Sequence, residues 1–169
     1  MEEIVQDFQD GLLAALPRLR RFAYSLTGSM ADADDLTQAT VERALLKRSM
    51  LRKGNSPDSW LLKICRNMWI DEIRRRTSRR EIAEIPDDSE PMTDGNKTIE
   101  DRLDVVSVEE VLKSMPDDQR AVVFLVAVEG YSYREASEIM DCPTGTIMSK
   151  LARARGRITD ALIPKEAKS

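Results

Sequence analysis

The stretch YSYREASEIMDCPTGTIMSKLARARGRI, residues 131–158, decides the fold. Ser132 followed three residues later by Glu135 is a capping-box pattern, in which each side chain satisfies an orphan backbone amide at a helix start. A helix should therefore open near Tyr133, with Ala136, Ile139 and Met140 on its apolar face. Asp141 and Cys142 interrupt the pattern just before Pro143. Proline is tolerated in a first helical turn because its missing N–H would be unpaired there anyway, so Pro143 marks the next helix start. At about 100° per residue, Ile147, Leu151, Ala154 and Ile158 fall within about 60° of one another and form a core stripe. Gly145, Ser149, Ala152 and Arg153 point the other way, flanked by Lys150 and Arg157, with Arg155 nearer the core edge. This is a helix-turn-helix whose second helix carries four cations and no acid from Ile147 to Ile158. Small residues ringed by cations permit close approach to a DNA groove while the charges meet phosphates. A solvated basic face is the other reading of the same residues.

Working outward, Val105–Lys113 reads as a helical segment, and Met115, Pro116, Asp117 and Asp118 open another. The apolar run Ala121–Val128 has strand-like composition. Its flanks decide for a helix of about fourteen residues, because Pro116 with acids stands at one end and Gly130 at the other. Further upstream, residues 81–104 contain Pro86, Pro91 and Gly95 among acids and small polar residues and offer little apolar surface to bury. They read as a flexible acidic linker between two small domains, residues 1–80 and 105–169.

In the first domain, Ile4, Val5, Phe8, Leu12, Leu13 and Leu16 keep a helical spacing, Pro17 is expected to start a fresh helical segment, and Gly28 to end it as a left-handed cap. A helix over Ser29–Lys47 carries Asp32, Asp34 and Asp35 near its positive end. Those carboxylates do not make a calcium loop, since the loop glycine is missing and Arg43 holds the closing acid's place. After a polar loop over Arg48–Ser59, Ser56 and Pro57 signal another helix. Leu61, Ile64, Cys65, Met68 and Trp69 occupy its apolar arc, and Lys63, Arg66, Asn67 and Arg74 the opposite side. Cations beside a polar loop and a tryptophan suit single-stranded DNA, in which phosphates are neutralised and an unstacked base is held. Trp60 and Trp69 are each open to a second reading as core residues.

Aromatic residues are 5% of the 169 and period-two alternation is hard to find, so the fold class is all-α. There is no histidine, which removes the commonest general base and every Ser/His or Cys/His nucleophile. With no glycine-rich phosphate loop either, no catalytic residue, metal or cofactor is expected and the chain is not an enzyme. Cys65 and Cys142 read as small apolar residues. An acidic N-terminus without an apolar signal core, and no apolar run long enough to span a bilayer, give a cytoplasmic expectation. The net charge of −4 is uneven: residues 1–80 sum to +4, residues 81–104 to −7 and residues 105–169 to −1.

The order of these parts resembles an extracytoplasmic-function (ECF, group 4) sigma factor of the sigma-70 superfamily, over nearly the whole chain. In the first domain the resemblance lies in Asp32-Ala33-Asp34-Asp35-Leu36-Thr37-Gln38, in Ser59-Trp60-Leu61-Leu62-Lys63-Ile64, and in Arg66-Asn67 followed by Ile70-Asp71-Glu72-Ile73-Arg74-Arg75-Arg76. In the second it lies in Met115-Pro116 with Gln119-Arg120, in Glu129-Gly130-Tyr131-Ser132-Tyr133-Arg134-Glu135-Ala136, and in Cys142-Pro143-Thr144-Gly145-Thr146-Ile147. The resemblance implies that Asp34, Asp35, Leu36 and Gln38 bind core RNA polymerase. It implies that Lys53, Asn55, Ser56, Trp60, Lys63, Arg66, Asn67 and Arg74 open and hold the −10 strand. Thr146, Ser149, Lys150, Arg153, Arg155 and Arg157 would read the −35 duplex. It further implies promoter DNA as a partner, an anti-sigma factor as a regulator, and neither membrane insertion nor a small-molecule substrate. Two positions depart from the family pattern, Met148 where a cation is usual and Ala39 where an acid is usual. The rival reading is a helix-turn-helix regulator of duplex DNA that is no polymerase subunit, which would lack the first domain's features.

Overall fold

The computed structural model describes residues 2–52, 54–83 and 107–163, and among them helix is the only regular structure. Helix α1 spans Glu2–Thr27, α2 Met30–Leu46 and α3 Pro57–Ala83, with a short 3₁₀ turn at Arg48–Met50 after α2. The second half holds α4 Val108–Ser114, α5 Asp117–Val123, α6 Tyr133–Met140 and α7 Thr144–Leu162.

Pro17 does not start a new helix, because α1 runs through it unbroken. Leu12, Ala15, Leu19, Phe22, Ala23 and Leu26 stay in one buried phase across Pro17. Keeping that stripe in register outweighs the penalty of about 3 kcal/mol for an interior proline. Gly28 ends α1 as expected, at φ 69°, with its N–H donating to the Tyr24 carbonyl at 2.8 Å. A side chain at this position would stand 3.3 Å from the Arg120 guanidinium, so glycine serves both the turn and a close approach.

Ser29 caps α2 by accepting from the Asp32 amide at 3.3 Å. The capping box of α6 is complete: Glu135 N–H donates to Ser132 Oγ at 3.1 Å, and Ser132 N–H to Glu135 Oε2 at 2.8 Å. Ser107 and Glu110 form a second capping box on α4, a Ser-x-x-Glu pattern the sequence reading passed over. Asp141 takes the left-handed conformation at φ 50° in the turn between α6 and α7, which a short polar side chain tolerates.

The run Ala121–Val128 is helical, yet its last turn, Phe124–Val128, widens into a π-helical turn, with Glu129 N–H donating to the Phe124 carbonyl. The expected linker also begins late, because Glu81–Ala83 form the last residues of α3; residues 84–104 lie outside the described ones.

The first half has its own cluster of Leu12, Ala15, Ala44 and Leu61, and the second its own of Val111, Met115 and Ala154. The largest cluster belongs to both. Leu19, Phe22 and Leu26 of α1, Leu36 of α2 and Leu62, Cys65 and Trp69 of α3 join Val122, Phe124 and Leu125 of the second half. Ala136, Ile139, Met140, Ile147 and Leu151 complete it. The halves are docked: α5 packs on α1, and α6 on α3.

Candidate nucleic-acid and polymerase interfaces

On α7 the structure keeps the expected stripe inside, with Ile147, Leu151 and Ala154 buried. Ser149, Arg153, Arg155 and Arg157 are exposed and Thr146 half-buried, so the candidate reading face is open to solvent. Ser149 Oγ donates back to the Gly145 carbonyl at 2.9 Å. Lys150 differs from its neighbours, since its ammonium is paired with Asp118 of α5 and its side chain is only 20% exposed. It braces α7 against α5 in this conformation. Met148 is 52% exposed on the same helix and adds no charge.

The candidate −10 residues divide. Asn55, Ser56, Lys63, Asn67 and Arg74 are exposed, while Lys53 lies outside the described residues. Trp60 is half-buried and packs edge-on against Phe8, with centroids 6.3 Å apart and planes at 69°. Trp69 is buried in the shared core, and the Arg76 guanidinium lies 5.5 Å over its ring. Arg66 is half-buried; its Nε and the Trp69 Nε1 are buried without a hydrogen-bond partner. Buried donors are paired in the great majority of cases, so both mark this face of α3 as unusual.

On α2, Asp35 and Gln38 are exposed, and Gln38 Nε2 donates to Glu42 Oε1 at 3.3 Å. Asp34 is exposed and held by Arg20 at 2.7 Å. Leu36 is 8% exposed and packs into the core, while also lining a groove beside Asp35. Between α2 and α3 runs a groove of about 420 Å³ lined by Asp35, Ala39, Met68, Glu72, Arg75 and others. Ala39 therefore leaves room where a longer side chain would project. Glu72 accepts from Arg76 at 2.9 Å, and that bond, with the neighbouring arginine charges, holds its carboxyl below the usual range.

Neither cysteine is set up for chemistry. Burial pushes the Cys65 thiol up to about 12 against a weaker opposing bond to Thr40, and burial also raises Cys142. Thiolate is the reactive form, and burial disfavours it at both positions. Among the described residues no group of acids and cysteines could hold a metal ion, and no helix is long and apolar enough to cross a membrane.

A helix-turn-helix with an open cationic face, on the same chain as a helical domain with an exposed acid-and-glutamine helix and a cationic third helix, is the two-part layout of a sigma-70 promoter-recognition protein. The family models for sigma-70 region 2 and sigma-70 region 4 match residues 12–79 and 106–158. The chain is 34% identical to the ECF RNA polymerase sigma factor EcfG of Rhodopseudomonas palustris, covering 94% of this chain and 87% of that one. It is 35% identical to the ECF sigma factor SigC of Mycobacterium tuberculosis, over 79% of this chain and 70% of its relative. Among solved structures it is similar to the sigma factor RpoE of Bartonella quintana, crystallised with the anti-sigma factor NepR. There the TM-score is 0.73, at 31% identity over 93% of this chain and 97% of that one. The chain belongs to the ECF sigma factors, RNA polymerase subunits that initiate transcription.

Proposed function

We propose that this protein is a group 4 sigma factor that docks on core RNA polymerase through α2, melts and holds the −10 element with α3 and its preceding loop, and reads the −35 duplex with α7. The observation that carries the reading is the pairing of two open surfaces on one chain. Asp35 and Gln38 are exposed on α2, and Ser149, Arg153, Arg155 and Arg157 are exposed on α7. Leu36, which lines the groove beside Asp35, and Asp34, paired with Arg20, belong to the same proposed surface.

The division into residues 1–80 for polymerase and −10 binding, 81–104 as an acidic linker and 105–169 for −35 binding fits the matched segments, with α3 reaching three residues further. An anti-sigma factor is the fitting regulator, by likeness to the relative crystallised with one. The activity is binding without catalysis or a cofactor, and the place of work is the cytoplasm, where the polymerase is.

Run-off transcription with purified core polymerase tests this. The chain should direct initiation at discrete start sites on DNA from its own genome. Duplex binding without initiation would instead make it an ordinary helix-turn-helix regulator.

A further inference from the structure

In a helix-turn-helix the N-terminal residues of the second helix are the ones that meet base edges. On α7 that end is residues 144–151, which carry one cation, Lys150, and Asp118 holds its ammonium. The exposed Arg153, Arg155 and Arg157 all come later in the helix. Ser149 already donates its hydroxyl proton to the Gly145 carbonyl, so towards a base it can only accept. Thr146 is half-buried. The end of α7 that enters a groove therefore has few polar groups free to tell one base from another.

Met148 is the long side chain that remains there. It is 52% exposed and, among the described residues, packs into none of the buried clusters. Its neighbours on the helix surface, at the preceding and following turns, are Gly145 and Ala152, and both are exposed. Neither is large enough to hide it. A Cβ added at Gly145 would meet nothing within 4 Å, so the protein's own packing does not require glycine at that position. The missing side chain lowers the surface beside Met148 and lets another body come close. Helical side chains lean back towards the N-terminus, so Met148 extends over the Gly145 turn, in the direction of the groove.

A single exposed apolar side chain is ordinary on a protein surface. One that stands over small residues at the tip of a reading helix meets a particular chemistry. The major groove presents one apolar group, the C5 methyl of thymine, and every A·T pair carries it. A thioether chain is unbranched and polarisable and adapts its shape to such a contact.

Resting on the sigma-factor reading, we propose that Met148 is a specificity-determining residue of the −35 contact, selecting an A·T pair by packing its thioether against the thymine methyl group. The arginines of α7 meet phosphates and guanine, and their contribution weakens with salt. Met148 adds an apolar readout that salt does not screen.

Deoxyuridine keeps every hydrogen-bonding group of thymine and lacks only the methyl, so it isolates this contact. Holoenzyme assembled from core polymerase and the full-length chain is assayed on duplex promoters mapped by run-off, with each thymine of the −35 element, on either strand, replaced in turn. Wild-type holoenzyme should lose about three- to fivefold in affinity at one or two positions, the effect of one buried methyl group, and nothing at thymines of the spacer. Met148→Ala should bind the thymine promoter weaker by about the same factor and no longer respond to deoxyuridine at those positions. Alanine favours helix and the site is exposed, so this variant should keep the wild-type circular dichroism. Met148→Leu, apolar and of similar size, should restore the response to deoxyuridine, which a folding defect would not allow.

Wild-type binding indifferent to every replacement would overturn the proposal. So would an undiminished response in Met148→Ala, or a −35 element without an A·T pair. Initiation at discrete start sites with no methyl effect sinks this inference alone, whereas a chain silent in run-off removes the sigma reading beneath it.

Discussion

Arg120 offers a sharp measurement of how the two halves are coupled. Its side chain is 11% exposed and forms bonds to the Ser25 and Leu26 carbonyls of α1, the Met115 carbonyl and Asp117. Hydrogen bonds involving a charged group contribute about 1.5–3 kcal/mol each. The Arg120→Met variant keeps much of the stem and removes all of these bonds. Water can reach the freed carbonyls beside exposed Gly28 and the bonds share one guanidinium, so the net loss should fall well below their sum, at about 2–3 kcal/mol in total. With a urea dependence of about 2 kcal/mol per molar, that moves the unfolding midpoint of the second half by about 1 M. Trp60 is packed on Phe8 of α1 whereas Trp69 lies in the core shared by both halves, so in a Trp69→Phe background fluorescence follows the first half while circular dichroism follows both. The wild type should unfold in a single transition by both signals. Arg120→Met should split them, with helix lost in an early step before the main fluorescence change. Coincident transitions at the wild-type midpoint would show that Arg120 couples nothing.

Ser132→Ala removes half of the α6 capping box and should cost about 1 kcal/mol, lowering the melting temperature by about 2–4 °C in a calorimetric scan. Asp35→Ala with Gln38→Ala, both on exposed positions, should weaken core-polymerase binding in a pull-down while changing stability by less than about 1 kcal/mol. Arg153→Ala should weaken −35-dependent initiation by about 1–3 kcal/mol, read as the ratio of run-off from promoters with intact and scrambled −35 elements. Burial disfavours the Glu129 charge, but bonds from Arg21 and Arg18 outweigh it and hold the carboxyl below its ordinary value of 4.5. Its contribution is therefore complete above about pH 4.5 and is lost as pH falls through the lowered value. Glu129→Gln should accordingly lose stability at neutral pH and show a shallower acid-unfolding curve in chemical denaturation.

Residues 131–158 alone determined the helix-turn-helix, because capping, the Pro143 start and the Ile147–Ile158 stripe are local rules that act within a few residues. The all-α class and the exposure of Asp35, Gln38, Ser149 and Arg153 were legible for the same reason. Pro17 was misread because its local cost is overruled by a stripe that pays out only when α1 meets two other helices. No periodicity reveals that Leu36 also packs into a shared core or that Asp118 pairs with the Lys150 ammonium. Glu129 and Arg120 sat in quoted motifs without an assigned partner, for their partners are about a hundred residues away in the chain. The same holds for Arg66 and Trp69, whose burial depends on where α6 lies. Sequence by itself therefore determined the helices and their polar faces, which short-range geometry dictates. Only the tertiary structure decided that the two halves share one core, because that depends on surfaces brought together across residues 84–106.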